Sequence, residues 1–210
     1  VGVVTPRRLG IFGGTFDPIH RGHLIAAGEC LTRLDLDQIW FVPVGDPPHK
    51  RGRIVSPAAD RVAMVELAIA GNPRFHLSRC EVDRPGASYS VDTVRQIRAE
   101  VGPAAELFFI IGQDSLLDLP RWRQPEQLLA LCQIVAVNRP GYPRIDLSRL
   151  GPVIAAAKDR ITFIEIPAFD VAASEVRRRV AAGDSIEGLV PEAVQRYIEA
   201  HGLYRRGEFT

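Results

Sequence analysis

The chain has 210 residues, 46% of them apolar and 24% charged, with 16 prolines and 18 glycines. That length and composition suit one globular domain, alone or with a small appendage, and exclude a disordered, collagenous or fibrous chain. Its 26 basic and 25 acidic residues leave a net charge of +1, which gives no overall field for nucleic acid or an anionic membrane, so any anionic ligand must be held by local charges. No apolar run approaches the roughly 20 residues of a membrane-spanning helix. The stretch Val1–Pro6, followed by Arg7 and Arg8, lacks the cationic-then-apolar order of a signal peptide, so a cytoplasmic location is expected. Cys30, Cys80 and Cys132 stand far apart with no C-x-x-C pair, which argues against a zinc ribbon or a disulfide scaffold and predicts reduced, partly buried thiols.

In chain order, Leu9–Phe12 reads as a strand and Gly22–Leu34 as a helix, followed by a strand over Gln38–Pro43. A helix over Pro57–Ala70 is predicted with Ser56 as N-cap and Pro57 at its first position. Phe75–Val82 reads as a strand, Val91–Val101 after Ser90 as a helix, and Leu107–Ile111 as a strand. Weaker helical patterns at Pro125–Leu131 and Leu147–Ala157 flank a strand at Gln133–Asn138, and Ile161–Ile166 is the last strand. Strand-helix alternation with continuous apolar strands such as Leu107-Phe-Phe-Ile-Ile predicts an α/β fold, a mostly parallel sheet covered by helices on both faces. Two helices then follow without a strand, Ser174–Ala182 and Pro191–Ala200, and read as a helical C-terminal cap (about 172–204) on one domain spanning 1–210. The Pro- and Gly-containing loops at 45–57 and 139–144 are the candidates for mobile segments.

The most informative stretch is Leu9-Gly-Ile-Phe-Gly-Gly-Thr-Phe-Asp-Pro-Ile-His-Arg-Gly-His23, which runs from the first strand through a glycine turn into the first helix. In an open parallel sheet, ligands bind beyond the carboxyl ends of the strands, where a helix N-terminus offers amides and partial positive charge. Gly13 and Gly14 permit close approach of backbone to a ligand, and His20 and His23, three apart, can aim ring nitrogens at one phosphate chain. An isolated H-x-x-H is also compatible with surface residues at a helix start. A zinc pair fits poorly, since helix-borne zinc histidines are usually four apart with a Glu between. Gly10, Gly13 and Gly14 do not make G-x-G-x-x-G.

Gly-Gly-Thr-Phe-Asp-Pro-Ile-His-Arg-Gly-His23 resembles the signature of the nucleotidyltransferase superfamily with the H-x-G-H motif, and within it the bacterial nicotinate-nucleotide adenylyltransferases. The resemblance spans nearly the whole chain: Val-Pro-Val-Gly-Asp-Pro-Pro-His-Lys50, Ala-Ser-Tyr-Ser-Val-Asp-Thr93, Ile-Ile-Gly-Gln-Asp-Ser-Leu-Leu-Asp-Leu-Pro-Arg-Trp122, Asn-Arg-Pro-Gly-Tyr142 and the late Leu-Val-Pro-Glu-Ala-Val continue it in order. It implies a Rossmann-like domain that transfers an adenylyl group from ATP to nicotinate mononucleotide, giving deamido-NAD and pyrophosphate. Mg²⁺ is implied to accompany ATP, bridging phosphate oxygens with few or no protein ligands.

The same resemblance implies the site. His20, His23 and Arg177 are the expected catalytic groups; Gly13, Gly14, Thr15, Phe16, Gly112, Asp114 and Ser174 are expected to join them around ATP, Asp114 at its ribose. Lys50, Ser90, Trp122 and Arg139 are expected around the mononucleotide, with Trp122 stacked on the pyridine ring and Ser90 near its carboxylate. Trp122 as a core aromatic and Ser90 as a helix cap remain the plainer alternatives. The family's serine-serine-threonine motif before the arginine is Ala172-Ala173-Ser174 here, which removes two hydroxyls but keeps backbone donors and the Arg177 charge. Nicotinamide mononucleotide, another phosphorylated acceptor such as phosphopantetheine, and a non-catalytic nucleotide-binding module are the competing readings. No nucleic-acid or membrane partner is expected, and a homo-oligomer is left open.

Overall fold

The computed structural model describes residues 6–46, 56–138, 145–167 and 171–205. Its frame is a six-stranded sheet of β1 (Arg8–Gly14), β2 (Gln38–Pro43), β3 (Phe75–Leu77), β4 (Glu106–Gly112), β5 (Gln133–Asn138) and β6 (Ile161–Glu165). Every neighbouring pair is parallel and the order is β3-β2-β1-β4-β5-β6. Helices α1 (Arg21–Arg33), α2 (Ala58–Ile69), α3 (Ser90–Val101), α4 (Gln113–Asp118), α5 (Pro125–Leu131), α6 (Pro152–Ala156), α7 (Ala173–Ala182) and α8 (Glu192–His201) surround it. The expected α/β, Rossmann-like arrangement is therefore the observed one.

The continuous apolar strands follow from burial on both sides, because successive side chains point to opposite faces. Leu9, Ile11, Leu107 and Phe109 pack with Val94 and Ile97 of α3, Leu128 of α5 and Ile154 of α6. Phe12, Phe108 and Ile110 pack on the other face with α1, α2, α7 and α8, through Leu31, Met64, Val176 and Ile198. The two C-terminal helices thus complete one side of the core, and each fully buried aliphatic side chain contributes roughly 1.5–3 kcal/mol.

Several local expectations are corrected. The third strand stops at Leu77 instead of running to Val82, because the chain turns there: the Asp83 amide donates to the Arg79 carbonyl at 2.9 Å. The predicted helix over Leu147–Ala157 is a 3-10 turn, Leu147–Leu150, separated from α6 by Gly151 at φ +93. Sequence periodicity also missed α4 and the 3-10 turn Leu119–Arg121 that follows it. Ser56 does not cap α2, since Pro57 holds the N-cap position and its carbonyl accepts from the Asp60 and Arg61 amides. Likewise Ser90 is the first residue of α3, with Tyr89 at the N-cap. All three cysteines are free, and burial pushes the Cys30 and Cys132 thiols up to about 12. Among the described residues no helix is long and apolar enough to cross a membrane.

Candidate active site

β1 and β4 are neighbours at the centre of the sheet, with β2 and β3 extending it on one side and β5 and β6 on the other. The order of strands reverses between them, and an open α/β sheet has its binding crevice outside the carboxyl ends at such a point. β1 ends there in Gly13 and Gly14. Phe16 follows in the left-handed region at φ +49, and its ring, 2% exposed, folds back so closely that a Cβ on Gly14 would lie 2.8 Å from it. The ring meets Phe12 edge-on at 5.8 Å and His23 at 5.1 Å. The Phe16 ring is therefore packed into the core.

His20 is the N-cap of α1 and His23 lies in its first turn, the two in the reciprocal positions of a capping box. The His20 amide donates to His23 Nδ1 at 3.2 Å, and the rings stack with centroids 3.7 Å apart and planes 24° apart. A neutral imidazole has one N–H, so accepting at Nδ1 puts the His23 proton on Nε2. Two amides of the helix start are bonded within the protein: Arg21 donates its own to the Leu189 carbonyl at 2.9 Å and His23 to the His20 carbonyl at 3.0 Å. Both of these amides are therefore engaged within the protein, and His20 is itself buried.

Behind the histidines lies a buried polar cluster that the sequence did not reveal. Asp17, 4% exposed, accepts at Oδ1 from the Tyr204 hydroxyl at 2.7 Å and at Oδ2 from the Ser56 amide at 3.3 Å. Its carbonyl accepts from Arg177 Nη1 at 2.6 Å. Arg61, also buried, donates to the carbonyls of Thr15 at 2.9 Å and Ser56 at 3.0 Å. Burial, then the Asp17 carboxylate, pushes the Tyr204 phenol above its ordinary range, so it stays a donor. Arg177, distant in sequence, is thus brought to the turn that carries His20. Ser174 is exposed in the first turn of α7 and does not cap it, because Ala172, extended at φ −114 and ψ 147, holds that position.

On the other side of the turn a cleft of about 470 Å³ opens between β1, β4 and α3, bordered by Gly13, Gly14, Tyr89, Ser90 and Trp122. Trp122 is half-buried and meets Phe109 edge-on at 6.2 Å, so it both packs on the core and faces the cleft. The Arg123 guanidinium lies 4.6 Å over the Tyr89 ring, and with Arg121 it brings positive charge to the cleft. Neither arginine was singled out from sequence, although both flank Trp122. Gly112 ends β4 at the cleft, and Asp114 is exposed in the first turn of α4. Lys50 and Arg139 lie outside the described residues. Among the described residues no group of three or more His, Cys, Asp or Glu is placed to hold a metal ion.

The cleft wall also contains Glu81, buried, whose Oε1 accepts from Thr93 Oγ1 of α3 at 2.6 Å. Burial raises this carboxyl above its usual range against the Thr93 hydrogen bond that lowers it. Gly45 passes so near that a Cβ there would run into the Glu81 carbonyl oxygen. Since backbone cannot yield as a side-chain tip does, Gly45→Ala is expected to cost about 2–3 kcal/mol and lower the thermal midpoint of unfolding. A wild-type melting curve would show that this wall is not closely packed.

Comparison with known proteins agrees with this geometry. Residues 11–179 match the cytidylyltransferase-like family. A relative from Thermomicrobium roseum is 47% identical over 201 residues, covering 96% of this chain and 93% of its own, and one from Moorella thermoacetica is 44% identical over 204 residues, covering 97% and 94%. Both carry the name probable nicotinate-nucleotide adenylyltransferase. Among solved structures, the nicotinic acid mononucleotide adenylyltransferase of Plasmodium falciparum complexed with NaAD superposes with a TM-score of 0.74 at 18% identity, over 94% of this chain and 97% of that one; at that identity the likeness is one of fold.

Proposed function

Because the chain belongs to the nicotinate-nucleotide adenylyltransferase family of cytidylyltransferase-like nucleotidyltransferases, we propose that it transfers the adenylyl group of ATP to nicotinate mononucleotide, working in the cytoplasm as one nucleotidyltransferase domain. The observation that carries this reading is the stacked His20–His23 pair at the β1/β4 switch point, with Arg177 on one side and the Trp122 cleft on the other. A phosphate oxygen of the mononucleotide attacks the α-phosphorus of ATP. One P–O bond forms, the bond to the bridging oxygen breaks, and pyrophosphate leaves. The nucleophile is already anionic at neutral pH, so no general base is needed and catalysis reduces to placing two anions and neutralising transition-state charge.

His20 and His23 supply ring donors to the ATP phosphates from a fixed stack. Gly13, Gly14 and Thr15 offer backbone at the same turn, Arg177 adds charge, and Asp114 and Gly112 lie on the α4 side where the nucleoside would sit. Mg²⁺ bound to the ATP phosphates would offset their charge. The residues fit that arrangement, since Asp17, the carboxylate within the turn, is buried and already accepts from Tyr204 and Ser56. In the cleft, Trp122 stacks on the pyridine ring and the α3 start beside Ser90 receives its carboxylate, a favourable place for an anion. Lys50 and Arg139 are assigned to the mononucleotide on resemblance alone.

Pyrophosphate release measured with ATP and each of nicotinate mononucleotide, nicotinamide mononucleotide and phosphopantetheine tests the assignment. The acid should be preferred to the amide by at least tenfold, because an unmade buried hydrogen bond costs about 1–3 kcal/mol. Trp122→Ala should raise the KM for the mononucleotide about tenfold, since stacking on an aromatic side chain is worth about 1–3 kcal/mol per base, and leave the KM for ATP nearly unchanged. Equal rates with acid and amide, or an unaltered acceptor KM in that variant, would place the acceptor elsewhere.

A further inference from the structure

The turn that carries the histidines is held from behind by residues far away in the chain. Arg61 holds it at the Thr15 carbonyl, Tyr204, Ser56 and Arg177 at Asp17, and Leu189 at the Arg21 amide. His20 and His23 lie within or just beyond this bracket, and Asp17 is its most heavily bonded point. Asp17 itself is no phosphate ligand, being a buried carboxylate whose oxygens accept from the protein.

A buried carboxylate is a poor device for stability alone, since an apolar pair of similar volume often serves as well or better. Its directional bonds do something apolar packing cannot, which is to fix one residue at one height. Tyr204, wholly buried and in the left-handed region at φ +64, spends its hydroxyl on Asp17 across 187 positions of sequence.

We propose that Asp17 and Tyr204 are positioning residues of adenylyl transfer: their hydrogen bond uses the C-terminal segment to set His20, His23 and Arg177 at the spacing the transferred phosphate requires. The inference rests on the function proposed above. It gives the C-terminal segment a part in turnover that is separate from burying apolar surface. Arg177 is the natural point of transmission, for it contacts Asp17 directly while its helix carries Val176 into the core shared with α8.

Tyr204→Phe keeps the ring and removes the tie. Its kcat, measured below the melting transition at saturating substrates, should fall roughly tenfold to a hundredfold, the scale of an ångström-sized misplacement of reacting groups. Affinity for a non-hydrolysable ATP analogue should change by less than about threefold, since binding tolerates a shift that the transition state does not. Leu203→Ala loosens the neighbouring core without touching the bond, so it should melt earlier yet keep kcat within about twofold. The double variant Asp17→Asn/Tyr204→Phe also takes the counter-charge from the buried Arg61 guanidinium, so it should melt below Tyr204→Phe while its kcat stays no lower than that of Tyr204→Phe, the two changes cutting one tie. If kcat instead follows melting temperature through all three variants, or Tyr204→Phe turns over like wild type, the pair is only structural and the proposal fails. His20→Ala assayed alongside separates the two levels: an inactive His20→Ala beside a normal Tyr204→Phe overturns the positioning role alone, whereas a fully active His20→Ala overturns the reading of the site and this inference with it.

Discussion

Alanine at His20 or at His23 is expected to lower turnover by about 3 kcal/mol of transition-state stabilisation, roughly a hundredfold or more, the usual cost of one positioned donor to developing charge. The two replacements should differ in their effect on the fold. His23 accepts the His20 amide, so His23→Ala also removes a helix-start acceptor, worth about 1 kcal/mol. His23→Glu separates the two roles, because a glutamate at this position can accept the same amide as in a capping box but sets a negative charge against the phosphates. That variant should melt close to wild type and be inactive. Activity within tenfold of wild type in both alanine variants would show that the imidazoles do not meet the transferred phosphate.

Arg177→Ala is the second severe loss. Its guanidinium donates to the Asp17 carbonyl and stands beside the histidine turn, and a hydrogen bond to a charged group contributes about 1.5–3 kcal/mol, so kcat/KM for ATP should fall roughly tenfold to a hundredfold. The departure at Ala172 and Ala173 carries the opposite expectation. Ala172 is the N-cap of α7, so serine there would accept from a first-turn amide and stabilise the helix by about 1 kcal/mol. In a chain of this size that is a rise of about 2–4 °C in melting temperature. ATP affinity of the Ala172→Ser/Ala173→Ser variant should stay within about twofold if, as proposed, the nucleotide is held by the Arg177 charge and by backbone donors that serine leaves in place. A large gain in affinity there, with a mild Arg177→Ala, would mean that hydroxyls and not the guanidinium carry the nucleotide.

What the sequence made legible was local. The strand, glycine turn and histidine pair are contiguous, and the alternation of apolar strands with helices gave the sheet and its two covered faces. The missed features depend on distant partners. Nothing near Tyr204 marks it as a ligand of Asp17, and nothing near Arg61 marks it as the clasp of Thr15. Glu81 fell inside an apolar alternation that reads as strand, yet the chain turns after Leu77 and delivers its carboxyl to the cleft. The serine caps expected at Ser56 and Ser90 failed for a related reason: proline or tyrosine in an extended conformation starts those helices with its carbonyl alone. The break at Gly151 was visible as a glycine, but only its positive φ shows why it divides a helix.

The central place of β1 has a consequence during synthesis. Leu9 pairs with Gln38 on one side and with Leu107 on the other, so one edge of β1 is filled early and the other waits for a much later part of the chain to leave the ribosome. During that interval Leu9, Ile11 and Phe12 lie on an open strand edge lacking half of its eventual cover, the kind of surface that nascent chains lose to aggregation or cede to chaperones. The strand that leads into the histidine turn is therefore exposed in an unfinished chain, and a polypeptide stalled before β4 would be a substrate for holdases and proteases instead of a partly working enzyme.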